Sequence, residues 1–187
     1  KFSKVNHDGL MFGIPLYSDY PLQHDYIVQA KDAFSQTMLG IHSLEKFGIN
    51  VEVRIVIHKQ SIERLYDLVK YVYRNLPFVK HVAVMGLEYV GYTPYNDNLL
   101  WIEPSEYVDI LSNSLFYLDS NNINVSLYNT QLCLVPEHLW KFCRRSISDW
   151  KQTYLDECSI CTKKTDCSGV FETSKKYSEN IKAILTN

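Results

Sequence analysis

The segment Cys158-Ser-Ile-Cys161, followed by Thr-Lys-Lys-Thr-Asp and Cys167-Ser-Gly-Val-Phe171, concentrates the soft ligands of this chain. A CxxC turn presents two thiolates to one ion or cluster, and a third cysteine shortly downstream can close around the same centre. One position is then short of the usual four. Cys133, in Leu132-Cys133-Leu134-Val135-Pro136, is the nearest upstream candidate, with Cys143 the second choice. Cys143 can equally be a small buried apolar residue. Thiolates alone do not separate zinc from iron–sulfur. A thioredoxin-type redox pair fits less well, because this CxxC lies in a polar tail and does not open a helix after a first strand.

Other candidates carry weaker signals. His24-Asp25 reads either as a hydrogen-bonded pair orienting a base or ligand, or as a helix cap. Arg54 interrupts an apolar strand and requires a counter-charge if it faces inward. His42 and His81 read as surface or packing residues. The net charge of -2 offers no basic field to phosphates, so no nucleic-acid partner is expected. No apolar run is long enough to span a membrane and none resembles a signal peptide. An odd count of five cysteines suits reduced thiols better than a paired disulfide framework, which predicts a cytoplasmic location.

The elements that must position these groups follow a strand–helix rhythm. A nearly continuous apolar strand is expected over Leu10–Tyr17, followed by a polar turn. Ile27, Ala30, Phe34, Met38, Ile41 and Leu44 recur at helical spacing and predict one helix ending before Gly48. Val51, Val53, Ile55 and Ile57 alternate as a second strand. Ile62, Leu65, Leu68, Val69, Val72 and Leu76 mark a second helix. A third strand is expected at His81–Leu87, a third helix carries Val108, Leu111, Leu115, Phe116 and Leu118 inward, and a fourth strand runs over Ile123–Tyr128. Short helices are expected at Pro136–Arg144 and Ser148–Tyr154, and a closing helix at Lys175–Leu185. This order predicts an α/β fold with parallel strands, or part of a (βα) barrel. Ligands of such folds gather at the C-terminal strand ends. The fourth strand end runs directly into Cys133, which places the proposed thiolate centre beside that edge.

With those residues in view, the chain resembles the radical S-adenosylmethionine (radical SAM) superfamily. Within it, the chain resembles the maturases of the His-Xaa-Ser repeat peptide system. The likeness runs through Leu16-Tyr17-Ser18 with His24-Asp25, Gly40-Ile41 with Leu44 and Gly48-Ile49, and Val53-Arg54-Ile55-Val56-Ile57. It continues through Val84-Met85-Gly86-Leu87-Glu88, Leu132–Pro136, Ser146-Ile147-Ser148-Asp149-Trp150-Lys151 and the tail from Cys158 to Phe171. The resemblance implies a partial barrel over residues 1–131 and a cysteine-rich extension over 132–187. It implies S-adenosylmethionine at the strand ends, with Arg54, Gly86 and Glu88 as pocket candidates. It implies an auxiliary [4Fe–4S] cluster on Cys133, Cys158, Cys161 and Cys167, zinc being the alternative. The expected substrate is a peptide or small protein, modified through a 5′-deoxyadenosyl radical, and a paired radical SAM protein is a further expected partner.

The family's radical-generating CxxxCxxC motif is not in this sequence. The expectation is therefore a chain lacking the N-terminal third of such an enzyme, inactive alone, with no catalytic residue assigned and with an exposed sheet edge that dimerisation would cover. The competing expectation is a non-catalytic α/β module whose metal knuckle serves protein contacts.

Overall fold

Every second residue of Val51–Ile57 is aliphatic, so a strand there can bury one whole side chain row against helices. The computed structural model describes residues 9–145 and 152–185. In it β1 (Met11–Pro15), β2 (Asn50–Ile57), β3 (His81–Gly86) and β4 (Val125–Tyr128) form one parallel sheet in the order β1-β2-β3-β4. Val53 pairs with Ile14 on one side and Val82 on the other, and Ile57 lies opposite Gly86. Pairing of β1 continues one residue further, since Leu16 N–H donates to the Arg54 carbonyl at 2.9 Å.

The connecting helices are α1 (Pro21–Val28), α2 (Ala33–Lys46), α3 (Leu65–Asn75), the short α4 (Asp97–Leu100) and α5 (Pro104–Ser120). Sequential parallel strands joined by right-handed crossovers place their helices on one face of the sheet. That face holds the core: Val51, Val53, Ile55 and Ile57 pack in one cluster with Leu68, Val69 and Val72 of α3 and Leu111, Leu115 and Leu118 of α5. The second- and third-helix stripes read from the sequence are the buried ones, down to Leu76, which is fully buried. The third-helix stripe keeps Val108 and Phe116 only partly buried.

Three expectations differ from the fold. The single helix over Ile27–Leu44 is two, broken where Gln29 and Asp32 take φ of 58° and 59°. Asp25 supplies the reason, because its carboxylate accepts the backbone N–H groups of Asp32 and Phe34, both at 2.8 Å, and so starts α2 afresh. Ala30 consequently lies exposed, while Phe34, Ile41 and Leu44 keep the buried stripe. Lys175–Leu185 forms no helix; its backbone is tied instead to loops around the cysteines and strand ends. The Ser148–Tyr154 expectation falls largely on residues 146–151, outside the described residues, as do residues 1–8. Thr153 is not helical: it pairs antiparallel with Val170. The Pro136–Arg144 expectation is met by a 3-10 segment over Glu137–Phe142. No helix among the described residues is long and apolar enough to cross a membrane.

Leu111 is fully buried and Leu39 is 69% exposed, so the same truncation separates them. Leu111→Ala should lower stability by about 2–5 kcal/mol, and Leu39→Ala by less than about 0.5 kcal/mol, in urea unfolding followed by circular dichroism.

Candidate functional site

The strand ends of β2, β3 and β4 converge on one rim, and the loops that leave them build the site. After β4, Asn129 takes a φ of 56° and turns the chain across the end of β3. A Cβ on Gly86 would run into the Asn129 carbonyl, so the close approach of these two strand ends requires glycine there. The Asn129 side-chain amide faces the Gly86 carbonyl and the Glu88 carboxylate, at 3.5 and 3.3 Å. Thr130 and Gln131 follow, and a 3-10 turn over Leu132–Leu134 brings Cys133 inward.

Cys133, Cys158, Cys161 and Cys167 line one cavity of about 20 Å³. Val170, Ile181 and Ile184 supply apolar wall, and Lys163, Lys164 and Lys182 lie around it. The Ile184 N–H points at the Cys161 sulfur at 3.4 Å. Burial pushes the Cys133 thiol up, helped by the nearby Cys167 and Cys158 and opposed by a hydrogen bond from the Lys182 backbone. Burial likewise raises Cys158. Cys143 is not part of this group. It packs against the core, hydrogen-bonds the Leu139 carbonyl at 3.6 Å, bridges Leu127 beside β4, and burial raises its thiol to about 12.

Lining one cavity is a looser condition than meeting at one point. Among the described residues no three His, Cys, Asp or Glu side chains converge closely enough to hold a single ion. Bonds of about 2.3 Å to one zinc would draw all four sulfurs to a common centre, whereas a cubane cluster keeps its four thiolates apart on separate irons. The donor set fits either group. A four-thiolate cluster would carry net negative charge, toward which the Ile184 N–H at Cys161 is directed, while the Lys163 and Lys164 ammonium groups lie over the Trp140 and Tyr154 rings. A cavity of about 20 Å³ is close to the room of a single water, so an ion would contract the loops and a cluster would part them.

Next to the cysteines lies a second cavity, of about 60 Å³, at the rim itself. Its floor is Ile57, Gly86 and Leu87, its walls are Trp101 to Tyr107 and Asn129 to Gln131, and residues 170–178 cross over it. Gln131 and Val170 border both cavities. Gly86 therefore lines the rim cavity, and Glu88 is held beside it by Asn129. Arg54 does not join them. It sits three residues before the end of β2, roughly 10 Å down the strand, on the face without helices.

On that face a polar chain crosses three strands, which the sequence reading did not anticipate. Arg54 donates to Glu52 at 2.7 Å, Glu52 meets His81 at 2.7 Å, and the other ring nitrogen of His81 meets Ser126 at 3.0 Å. Burial opposes the Glu52 charge, yet the hydrogen bonds from Arg54 and His81 outweigh it and hold the carboxyl below its usual range. Arg54 is half exposed, so the inward placement that would require a counter-charge does not occur, and its partner Glu52 is two residues away on its own strand. His81, read as a packing residue, is the link between β2 and β4. Cross-strand register is what brings it there, and no local motif signals it.

His24 and His58 flank Tyr17 at the β1 and β2 ends, with ring centroids 5.9 and 6.0 Å from it. His24 accepts the Tyr17 N–H through Nδ1, while its Nε2 is buried with no hydrogen-bond partner among the described residues. Burial pushes His24 down in spite of neighbouring Asp25. Asp25 is committed to capping α2, so the two do not act as an orienting pair.

No family model matches this chain, and no curated protein or solved structure matches it either.

Burial alone lowers the His58 imidazole from 6.5 to about 4. Between these values the unfolded chain binds a proton that the folded chain refuses, so stability is complete above pH 6.5 and falls as the pH drops toward 4. The loss attributable to His58 should reach roughly 3 kcal/mol. In His58→Asn, which keeps an acceptor for the Gln60 N–H, urea midpoints measured from pH 7 to pH 4.5 should fall less steeply than in the wild type.

Proposed function

We propose that this chain is part of a radical S-adenosylmethionine enzyme acting on a peptide or small protein, with an auxiliary [4Fe–4S] cluster held by Cys133, Cys158, Cys161 and Cys167. One observation carries the reading: a cysteine from the end of β4 and three from the tail line a single apolar cavity, beside the C-terminal rim of a parallel sheet. The sequential strand order with helices on one face is the arrangement of a barrel segment, which supports the partial-barrel reading.

In this reading each residue has a defined task. Gly86 lets the β4 loop close over the β3 end, and Asn129 holds Glu88 at the rim, where the S-adenosylmethionine pocket is assigned. Arg54, ion-paired to Glu52, supports the open face below that pocket. The Ile184 N–H stabilises thiolate charge at Cys161, and Val170, Ile181 and Ile184 give the cysteine cavity an apolar wall. An auxiliary cluster would supply electron transfer or substrate ligation near the rim. The radical-forming CxxxCxxC is not among the five cysteines, so this chain by itself is expected not to cleave S-adenosylmethionine reductively.

Anaerobic reconstitution with iron and sulfide should give about four of each per chain and a broad visible absorption. Cys133→Ser or Cys158→Ser should remove most of both, and Cys143→Ser should keep them. Zinc at about one per chain with no visible absorption would replace this reading with that of a structural knuckle serving protein contacts.

A further inference from the structure

The two cavities are joined by one stretch of chain. Residues 167–170 leave the cysteine cavity, residues 171–178 cross the rim cavity, and residues 181–184 return to the cysteine cavity. Both feet of this loop therefore stand on the same four-thiol site. At the first foot, Ser168 donates to the Thr130 carbonyl at 2.9 Å and Gln131 donates to the Gly169 carbonyl at 2.6 Å. Val170 and Thr153 exchange two backbone hydrogen bonds of 2.8 Å. Gly169, at φ 64°, makes this possible, because a Cβ there would strike the Thr153 carbonyl. At the second foot, Thr162 N–H donates to the Ile184 carbonyl at 2.9 Å, and Ile184 N–H reaches Cys161.

The crossing segment has neither helix nor strand. Its shape comes from its own contacts, chiefly the Tyr177 hydroxyl donating toward the carbonyls of Ser174 and Phe171 at 2.6 and 3.2 Å. Two pins hold its far side to the start of α4 and to the residue that opens α5. Lys176 bridges Asp97 at 2.8 and 3.0 Å while lying 4.7 Å above the Trp101 ring, and Ser178 donates to Glu103 at 2.7 Å. Such a surface ion pair, about one third exposed on each side, is individually weak. Beneath the segment only about 60 Å³ is left, far below the roughly 300–1,000 Å³ of a ligand pocket. A ligand at the strand ends therefore needs this segment to lift.

We propose that residues 171–178 are a flap over the ligand pocket at the strand ends, and that the four-cysteine centre is the clasp holding both of its feet. The proposal rests on the reading of Cys133, Cys158, Cys161 and Cys167 as one metal or cluster site. A filled centre cross-links residues 133, 158–161 and 167, fixes both loop ends and removes most of the flap's open states, as any clip that closes a loop does. An emptied centre leaves the flap on its weak pins and on the hydrogen bonds at its feet. Access to the rim is then set by the state of the centre.

Amide hydrogen exchange, read by mass spectrometry on the whole chain, tests this. Protein reconstituted with iron and sulfide is compared with chelator-stripped protein, metal content being measured on the same samples. Residues 167–184 should exchange more slowly in the loaded form by about tenfold or more, with α3 unchanged as the reference. Equal exchange in residues 167–184 of loaded and stripped protein overturns the clasp while leaving the four-thiolate site standing. Protein that takes up no metal overturns the site and the clasp with it. In Asp97→Asn the pin at the tip is lost, so residues 174–178 should exchange faster while metal content and both feet stay as they were. Loss of metal on that change would mean that the flap holds the centre, and would overturn the proposal.

Discussion

Parallel pairing of consecutive strands is the constraint on which everything else in this molecule depends. A parallel pair cannot be closed by a tight turn, so each connection must cross back over the sheet, and the handedness of that crossing is nearly fixed. With order β1-β2-β3-β4, the crossings fall on one face. That face is filled by Val, Ile and Leu and contains the core; on the other, Arg54, Glu52, His81 and Ser126 satisfy one another alongside Val56, Ala83, Met85 and Tyr128. The same constraint gathers the C-terminal strand ends on one rim. Short ties then lock neighbouring loops together there: Asp19 takes a two-pronged bond from Arg64, at 2.8 and 2.6 Å, and Gln23 donates to the Gln60 carbonyl.

The parts legible in the sequence are those whose periodicity is enforced by that buried face. The stripe Ile62 to Leu76 and the alternation Val51 to Ile57 have no alternative burial, so local pattern and tertiary packing agree. Where a single side-chain bond redirects the backbone, the pattern misleads. Ile27 and Ala30 continue the spacing of Phe34 and Ile41, yet Asp25 restarts the helix at Ala33, and left-handed residues at 29 and 32 are permitted without glycine. The tail misleads in the opposite direction. Lys175–Leu185 has the composition of a helix, but its backbone and side-chain groups find partners at Glu103, Asp97 and Cys161, and those outcompete local bonding in a segment with little apolar surface to bury.

That the four tail and strand-end cysteines line one cavity was legible for two reasons of different kind. CxxC spacing is local chemistry and is visible directly. The inclusion of Cys133 is topological: β4 has to end at the rim, and the three-residue turn after Gln131 leaves its cysteine no distance to travel. The cross-strand chain through His81 had neither support. Glu52 and His81 are neighbours because residue 52 pairs with residue 81, and pairing register between strands 29 positions apart leaves no trace in local composition. Arg54 shows the same limit, since neither its half-exposed placement nor its pairing with Glu52 is written in local composition.

The irregular backbone around the cysteines suits the thiolate centre proposed for it. A thiolate centre there would need N–H groups directed at its sulfurs, which regular helices and strands spend on their own ladders. Loop backbone provides such groups, as the Ile184 N–H does for Cys161. The same freedom leaves loops with little cooperative stability of their own. A chain that commits residues 161–185 to loop structure must therefore fasten them by side-chain ties, and here those ties run to the rim on one side and the thiols on the other. For the proposed clasp, coupling of the two cavities needs no separate pathway, because Gln131 and Val170 form the wall they share.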